Sequence, residues 1–145
     1  MMLILFSCNQ TEKTENSIPF EKLTTEYTGV NFSNNITPNL ESSENLFDYD
    51  YFYNGSGVGI ADINNDGLKD IIFTANQEEN KLYLNKGNLK FEDITSSSNI
   101  NSKNKRWSSG VTFADINNDG WLDIYISQGG PNNAPPDSRT NRDTQ

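Results

Sequence analysis

Side-chain oxygens recur at fixed intervals in two stretches of the chain. The first set is Asp62, Asn64, Asp66 and Asp70; the second is Asp115, Asn117, Asp119 and Asp123. Each occupies positions 1, 3, 5 and 9 of one string, D-x-N-x-D-G-x-x-D, and Asp115 follows Asp62 by 53 positions. In a tight turn, alternate residues can point at a single centre. The glycine at position 6 (Gly67, Gly120) permits the bend, and the carbonyl of position 7 (Leu68, Trp121) can face the same centre. Hard oxygen ligands in this number suit calcium, which takes about 6–8 oxygens. Three carboxylates in one loop repel each other unless a cation stands between them. The competing reading is an Asx-rich surface turn without metal, since Asn, Asp and Gly favour turns on their own. Duplication in register, with the position-9 carboxylate kept in both copies, weighs toward structural calcium at two loops.

The flanking residues say what carries these loops. An EF-hand requires a bidentate Glu at position 12 and a helix on each side. Position 12 is Phe73 in one copy and Ile126 in the other. The runs Ile71-Ile72-Phe73-Thr74 and Ile124-Tyr125-Ile126-Ser127 are β-branched and aromatic, which favours strand. Each loop is therefore expected to join two strands. The repeat extends beyond the ligands: residues 57–73 and 110–126 agree at eleven of seventeen aligned positions.

A D-x-[DN]-x-D-G-x-x-D loop between strands, repeated at this interval, resembles the FG-GAP and VCBS-type repeats of β-propellers. The string from Tyr51 to Leu68 is similar to a group of secreted bacterial proteins related to cartilage acidic protein, often joined to an ASPIC/UnbV module. Lys81 to Asn88 and Phe91 to Thr95 match the same pattern, and the resemblance spans about residues 27–130. Two departures stand out. Thr74-Ala75-Asn76 takes the place of the literal Gly-Ala-Pro, and Asn replaces Asp at position 3 of both loops. That Asn keeps an oxygen ligand but removes one negative charge per site, so weaker binding is expected.

The resemblance implies an all-β fold of antiparallel propeller blades, about one and a half repeats of a longer propeller. Residues 1–8 end in Leu5-Phe6-Ser7-Cys8, which resembles a truncated bacterial lipoprotein signal with Cys8 as the lipidated residue. No Lys or Arg precedes the apolar run, and it falls short of the usual length of about 7–15 residues; a chance cysteine in a frayed apolar terminus is the other reading. Residues 9–19 read as a polar tether. Residues 20–56 are expected to hold one or two strands, with Val30-Asn31-Phe32 alternating, Asn54-Gly55 as a turn and the Tyr49–Tyr53 cluster in the core.

Residues 57–109 form the first repeat. Its strands are expected at Val58–Ala61, Ile71–Ala75, Lys81–Asn85 and Leu89–Ile94, with a hairpin turn at Lys86-Gly87-Asn88, as in one propeller blade. Ser96 to Arg106 reads as a polar connector and Trp107 as core. The second repeat, residues 110–130, has strands only between Val111 and Ser127, and residues 131–145 are a polar tail. One and a half blades cannot close a ring of about 4–8. The sequence is therefore read as an N-terminal fragment with an exposed edge on its second unit.

Net charge is −9 with no histidine. An acidic chain without basic runs argues against nucleic acid, whose phosphates require Lys or Arg. Without histidine, Ser-His-Asp and Cys-His arrangements are excluded, and no phosphate-cradling GxxxxGK[ST] loop occurs. The chain itself is read as non-enzymatic. The expected function is a calcium-binding repeat module of a secreted or outer-membrane bacterial lipoprotein. It would act in binding, adhesion or scaffolding, with a protein or glycan ligand and the remaining blades as partners, and membrane contact only through the lipid. The alternatives are a non-catalytic accessory propeller of a polysaccharide-processing enzyme, or part of a hydrolase or lyase whose active site lies further along.

Overall fold

A computed structural model of the chain describes residues 20–100 and 107–131. Four strands form one antiparallel sheet in sequential order: β1 (Val58–Ala61), β2 (Asp70–Phe73), β3 (Lys81–Asn85) and β4 (Phe91–Asp93). A second antiparallel sheet contains β5 (Ser108–Ala114) and β6 (Asp123–Gln128). The fold is all-β, with one four-stranded sheet and one two-stranded sheet among the described residues. Two short helices flank the first sheet, α1 (Thr25–Thr28) and α2 (Thr95–Ser98). Among the described residues no helix is long and apolar enough to cross a membrane.

The register explains where the two Asp-rich loops sit. Ala61 pairs with Asp70 at the end of β1–β2, and Ala114 with Asp123 at the end of β5–β6. Each loop is thus the connection of a β-hairpin. The faces of β1 run against simple hydrophobicity. Gly59 and Ala61 are buried, whereas Val58 and Ile60 are 59% and 63% exposed. The cause is the close approach of β5. A Cβ on Gly59 would lie 2.6 Å from the Phe113 ring, and one on Gly57 would lie 2.8 Å from the Gly110 Cα. Only glycine lets the two sheets meet at this distance.

The core beneath this contact holds Ile72, Leu82 and Tyr83, with Phe52 and Trp107 at the junction of the two units. Trp107 is buried as expected, its ring 5.4 Å from that of Phe52 and 6.0 Å from that of Tyr49. The Tyr49–Tyr53 cluster splits: Phe52 is fully buried, while Tyr51 and Tyr53 are 62% and 60% exposed.

Residues 20–56 contain no regular strand among the described residues; the structure has α1 and an isolated Asn39–Glu44 bridge there. Thr24 caps α1 through the Tyr27 N–H, and Gly29 ends it at φ +77°. The alternating Val30-Asn31-Phe32 does lie on the sheet, but a side chain rather than a strand satisfies its backbone. The Tyr83 hydroxyl accepts the Asn31 N–H and donates to the Asn31 carbonyl. Phe32 stacks on Phe73 with ring centroids 4.7 Å apart.

Three strand limits also differ from expectation. β2 ends at Phe73, because Thr74, Ala75 and Asn76 leave the ladder to form a buried polar junction. β4 begins at Phe91, because the hairpin turn extends through Gly87, Asn88 and Leu89, all with positive φ. The second unit begins at Ser108, where the Ser108 N–H reaches the Ala75 carbonyl. Among the described residues no further strand pairs with β6. Residues 1–8, 9–19 and 132–145, and the connector from 101 to 106, lie outside the described residues.

Candidate metal centres

The two loops share one hydrogen-bond pattern. In the first, Asp62 accepts the Asp66 and Gly67 N–H groups, at 3.1 and 2.8 Å. Asn64 Oδ1 accepts the Asp66 N–H, and Asp66 Oδ1 accepts the Leu68 N–H at 2.8 Å. The Asn64 amide donates to Asp66 Oδ2 at 2.9 Å, and Asp70 Oδ2 accepts the Ile63 N–H at 3.0 Å. In the second loop, Asp115, Asn117, Asp119 and Asp123 make the same bonds to Asp119, Gly120, Trp121 and Ile116. The chain is bent by residues 4 and 6, with Asn65 and Asn118 at φ 55° and 60° and Gly67 and Gly120 at φ 86° and 87°. Asn tolerates that region better than other residues with a Cβ.

This geometry brings positions 1, 3 and 5 together in each loop. The position-7 side chains, Leu68 and Trp121, stand out to solvent at 38% and 52% exposure. The Leu68 N–H and the Asn64 amide hold the Asp66 carboxyl below the usual carboxylate range; the Trp121 N–H and the Asn117 amide do the same for Asp119. Both carboxyls are therefore ionised at neutral pH.

Position 9 behaves differently. Asp70 is 1% exposed. Besides the Ile63 N–H, it accepts the Asn85 N–H through Oδ1 at 2.8 Å. Asn85 in turn donates to the Lys69 carbonyl. Asp70 thus ties the start of its loop to the end of β3, whether or not an ion is bound. Asp123 is less buried and, among the described residues, accepts the Ile116 N–H alone.

Among the described residues, no three His, Cys, Asp or Glu side chains are gathered into a metal-holding group. The Asn64 and Asn117 amide oxygens stand beside the position-1 carboxylates, sharing the Asp66 and Asp119 N–H groups with them. The donor chemistry fits a hard divalent cation. Every side-chain ligand candidate offers oxygen, and an ionised carboxylate has about four lone-pair sites, more than the N–H groups at Asp62 or Asp66 occupy.

Two further features are beyond the motif. The loops touch: the Asn65 side-chain amide donates to the Gly120 carbonyl at 3.0 Å. The recurrence of Asn65 as Asn118 was the available signal. The second feature is the junction at Thr74-Ala75-Asn76, where all three residues are at most 4% exposed. Thr74 Oγ1 accepts the Gly57 N–H, and the Ser56 hydroxyl reaches both Thr74 Oγ1 and the Ser108 carbonyl. Asn76 donates to the Gly55 and Ser108 carbonyls and exchanges hydrogen bonds with the Asn34 side chain. Where a Gly-Ala-Pro was expected on the resemblance, this chain has a polar knot joining the N-terminal segment, β1 and the second unit.

Residues 62–126, from the first aspartate of one loop to the strand after the other, match the model of the FG-GAP-like repeat family. No curated protein and no solved structure matches the chain.

Proposed function

We propose that both loops bind calcium and that the chain is a calcium-stabilised, propeller-type repeat module of a secreted or surface-anchored bacterial protein. In this reading Asp62, Asn64, Asp66 and Asp70, with the Leu68 carbonyl, hold one ion. Asp115, Asn117, Asp119 and Asp123, with the Trp121 carbonyl, hold the other. The observation that carries it is the repetition of a six-bond loop geometry around an all-oxygen ligand set. Bound calcium would supply charge neutralisation and fasten each hairpin; it would take part in no reaction, and this stretch of chain would play no catalytic part. The module would bind a protein or glycan ligand, or act as a scaffold, within the cartilage-acidic-protein-like, ASPIC/UnbV-associated group.

Isothermal titration with calcium is expected to reveal up to two sites of weak extracellular affinity, about 10⁻⁴–10⁻³ M. Asp66→Asn should weaken one site while leaving the metal-free melting temperature nearly unchanged, because the amide oxygen can still accept the Leu68 N–H and the Asn64 amide that loses its acceptor is exposed to water. Absence of both binding heat and thermal stabilisation at roughly 10 mM calcium would rule the proposal out.

A second reading, an accessory propeller in polysaccharide processing, draws on one feature. An open polar cleft of about 580 Å³ is lined by Glu79, Lys81, Asp93, Thr95, Ser96 and Asn99. Its polar side chains suit a hydroxyl-rich ligand.

The surface address in the first reading rests on Cys8. In a bacterial host, a fatty-acid probe is expected to label the protein, and Cys8→Ala to abolish the label. Equal labelling of the variant would remove the lipid anchor from the proposal.

A further inference from the structure

Three pairs in the chain set an Asn or Asp directly before glycine: Asn54-Gly55, Asp66-Gly67 and Asp119-Gly120. In such a pair the glycine nitrogen can attack the side-chain carbonyl carbon of the residue before it, since glycine has no Cβ to obstruct the approach. The fold treats the three pairs differently. In the two loops the attack is blocked. The Gly67 N–H is held by Asp62 Oδ2 at 2.8 Å and the Gly120 N–H by Asp115 Oδ2 at 2.9 Å. The Asp66 and Asp119 carboxyls are pinned by the Leu68 and Trp121 N–H groups and kept ionised. An ionised carboxylate is a poor electrophile.

Asn54-Gly55 has none of these restraints. The Asn54 side chain is exposed, and among the described residues neither it nor the Gly55 N–H makes a hydrogen bond. Gly55 sits at φ +77°, and apart from its chain neighbours no atom lies within 4 Å of where its Cβ would be. Ring closure there meets no obstacle. The residues after it are committed to the buried joint. The Gly55 carbonyl accepts the Asn76 amide at 3.0 Å, and the Ser56 hydroxyl reaches Thr74 Oγ1 and the Ser108 carbonyl.

We propose that Asn54 deamidates spontaneously in the folded chain and that the product loosens this joint. The Gly55 nitrogen gives its proton to solvent base and bonds to Asn54 Cγ. The Cγ–Nδ2 bond breaks and ammonia leaves, closing a succinimide ring. Water then opens the ring at either carbonyl. Attack at Cγ leaves aspartate on a normal main chain; attack at the main-chain carbonyl carbon leaves isoaspartate, with the chain rerouted through Cβ and Cγ. The sum is a water consumed and an ammonia released, without oxidation or reduction. Both products add a negative charge. Isoaspartate also lengthens the main chain by one atom just before Gly55, which draws the Gly55 carbonyl away from Asn76.

The test holds the full chain at physiological temperature and mildly alkaline pH for several days, with samples taken for peptide mass mapping. The peptide containing position 54 should gain the mass of an amide-to-acid exchange, faster at higher pH, with isoaspartate in excess over aspartate. Peptides containing positions 66 and 119 should show no isoaspartate. Asn54→Gln should abolish the conversion, and far-UV circular dichroism checks that this exposed substitution leaves the fold intact. Aged protein should melt a few degrees below fresh protein, below aged Asn54→Gln, and below Asn54→Asp, which carries the charge on a normal main chain. An unconverted position 54 would overturn the proposal, as would isoaspartate at positions 66 and 119 at a comparable rate. So would aged protein that melts together with Asn54→Asp.

Discussion

Trp107→Ala is expected to lower the stability of the folded chain by about 3–5 kcal/mol, the usual range for removing a buried large aromatic. Trp107 is 5% exposed and stands where three parts of the chain converge. Its ring meets those of Phe52 and Tyr49 from the N-terminal segment. Gly130, after β6, comes so close that a Cβ there would lie 2.4 Å from the Trp107 Cγ. Its carbonyl accepts the Gly129 N–H, and the next residue begins β5. Alanine would leave a cavity that no single element can collapse to fill, since its walls belong to segments anchored elsewhere. Chemical denaturation followed by circular dichroism measures the loss. Tyr51→Ala, at a position 62% exposed, should change stability by no more than about 0.5 kcal/mol. A Trp107→Ala loss below about 1 kcal/mol would show that the joint between the units is not held by this ring.

Asp70→Ala is expected to cost about 2–5 kcal/mol, and most of that cost should persist in chelator. The substitution removes the acceptor for two main-chain N–H groups, those of Ile63 and Asn85. A buried donor left without a partner costs about 1–3 kcal/mol. Calcium linkage adds to this loss only when the ion is present, by up to about 2.7 kcal/mol at a hundredfold excess over Kd. Asp123→Ala should cost less in chelator, because Asp123 is more exposed and, among the described residues, holds one N–H, that of Ile116. Asp70→Asn should fall between wild type and alanine, since an amide keeps one acceptor oxygen but turns a donor toward the other N–H. Melting curves of the three variants with calcium and with chelator separate the contributions. An Asp70→Ala loss seen only in calcium would mean that the side chain serves an ion alone and that its contact with the end of β3 adds nothing.

The contrast between Asp70 and Asp66 shows how far spacing reads. Both were candidate ligands on position alone. Asp66 lies on the exposed part of the loop and makes its hydrogen bonds to its own turn, a relation set within a few residues. Asp70 is the first residue of β2, and its second acceptor site is filled by the N–H of Asn85, fifteen residues on. Nothing in the motif indicates that partner. Likewise, Val58 and Ile60 look like core residues by their chemistry. They are exposed because β5 packs on the opposite face of β1, at a distance that excludes any side chain larger than glycine's.

The order of residues specifies the two loops, the antiparallel strands on either side of them and the four-stranded unit. These depend on period-2 alternation, turn chemistry and the repeat, all readable in windows of a few residues. It left the segment before β1 misread, because the alternation of Val30-Asn31-Phe32 cannot reveal that a tyrosine hydroxyl satisfies its backbone in place of a neighbouring strand. Tertiary structure alone decided which face of each sheet is covered, why Thr74 and Asn76 are buried, and that Asn65 bridges to the second loop. Those outcomes arise from contacts between residues 17 to 55 positions apart. At that separation the packing of one sheet against another, not the local pattern, sets which polar groups must find partners.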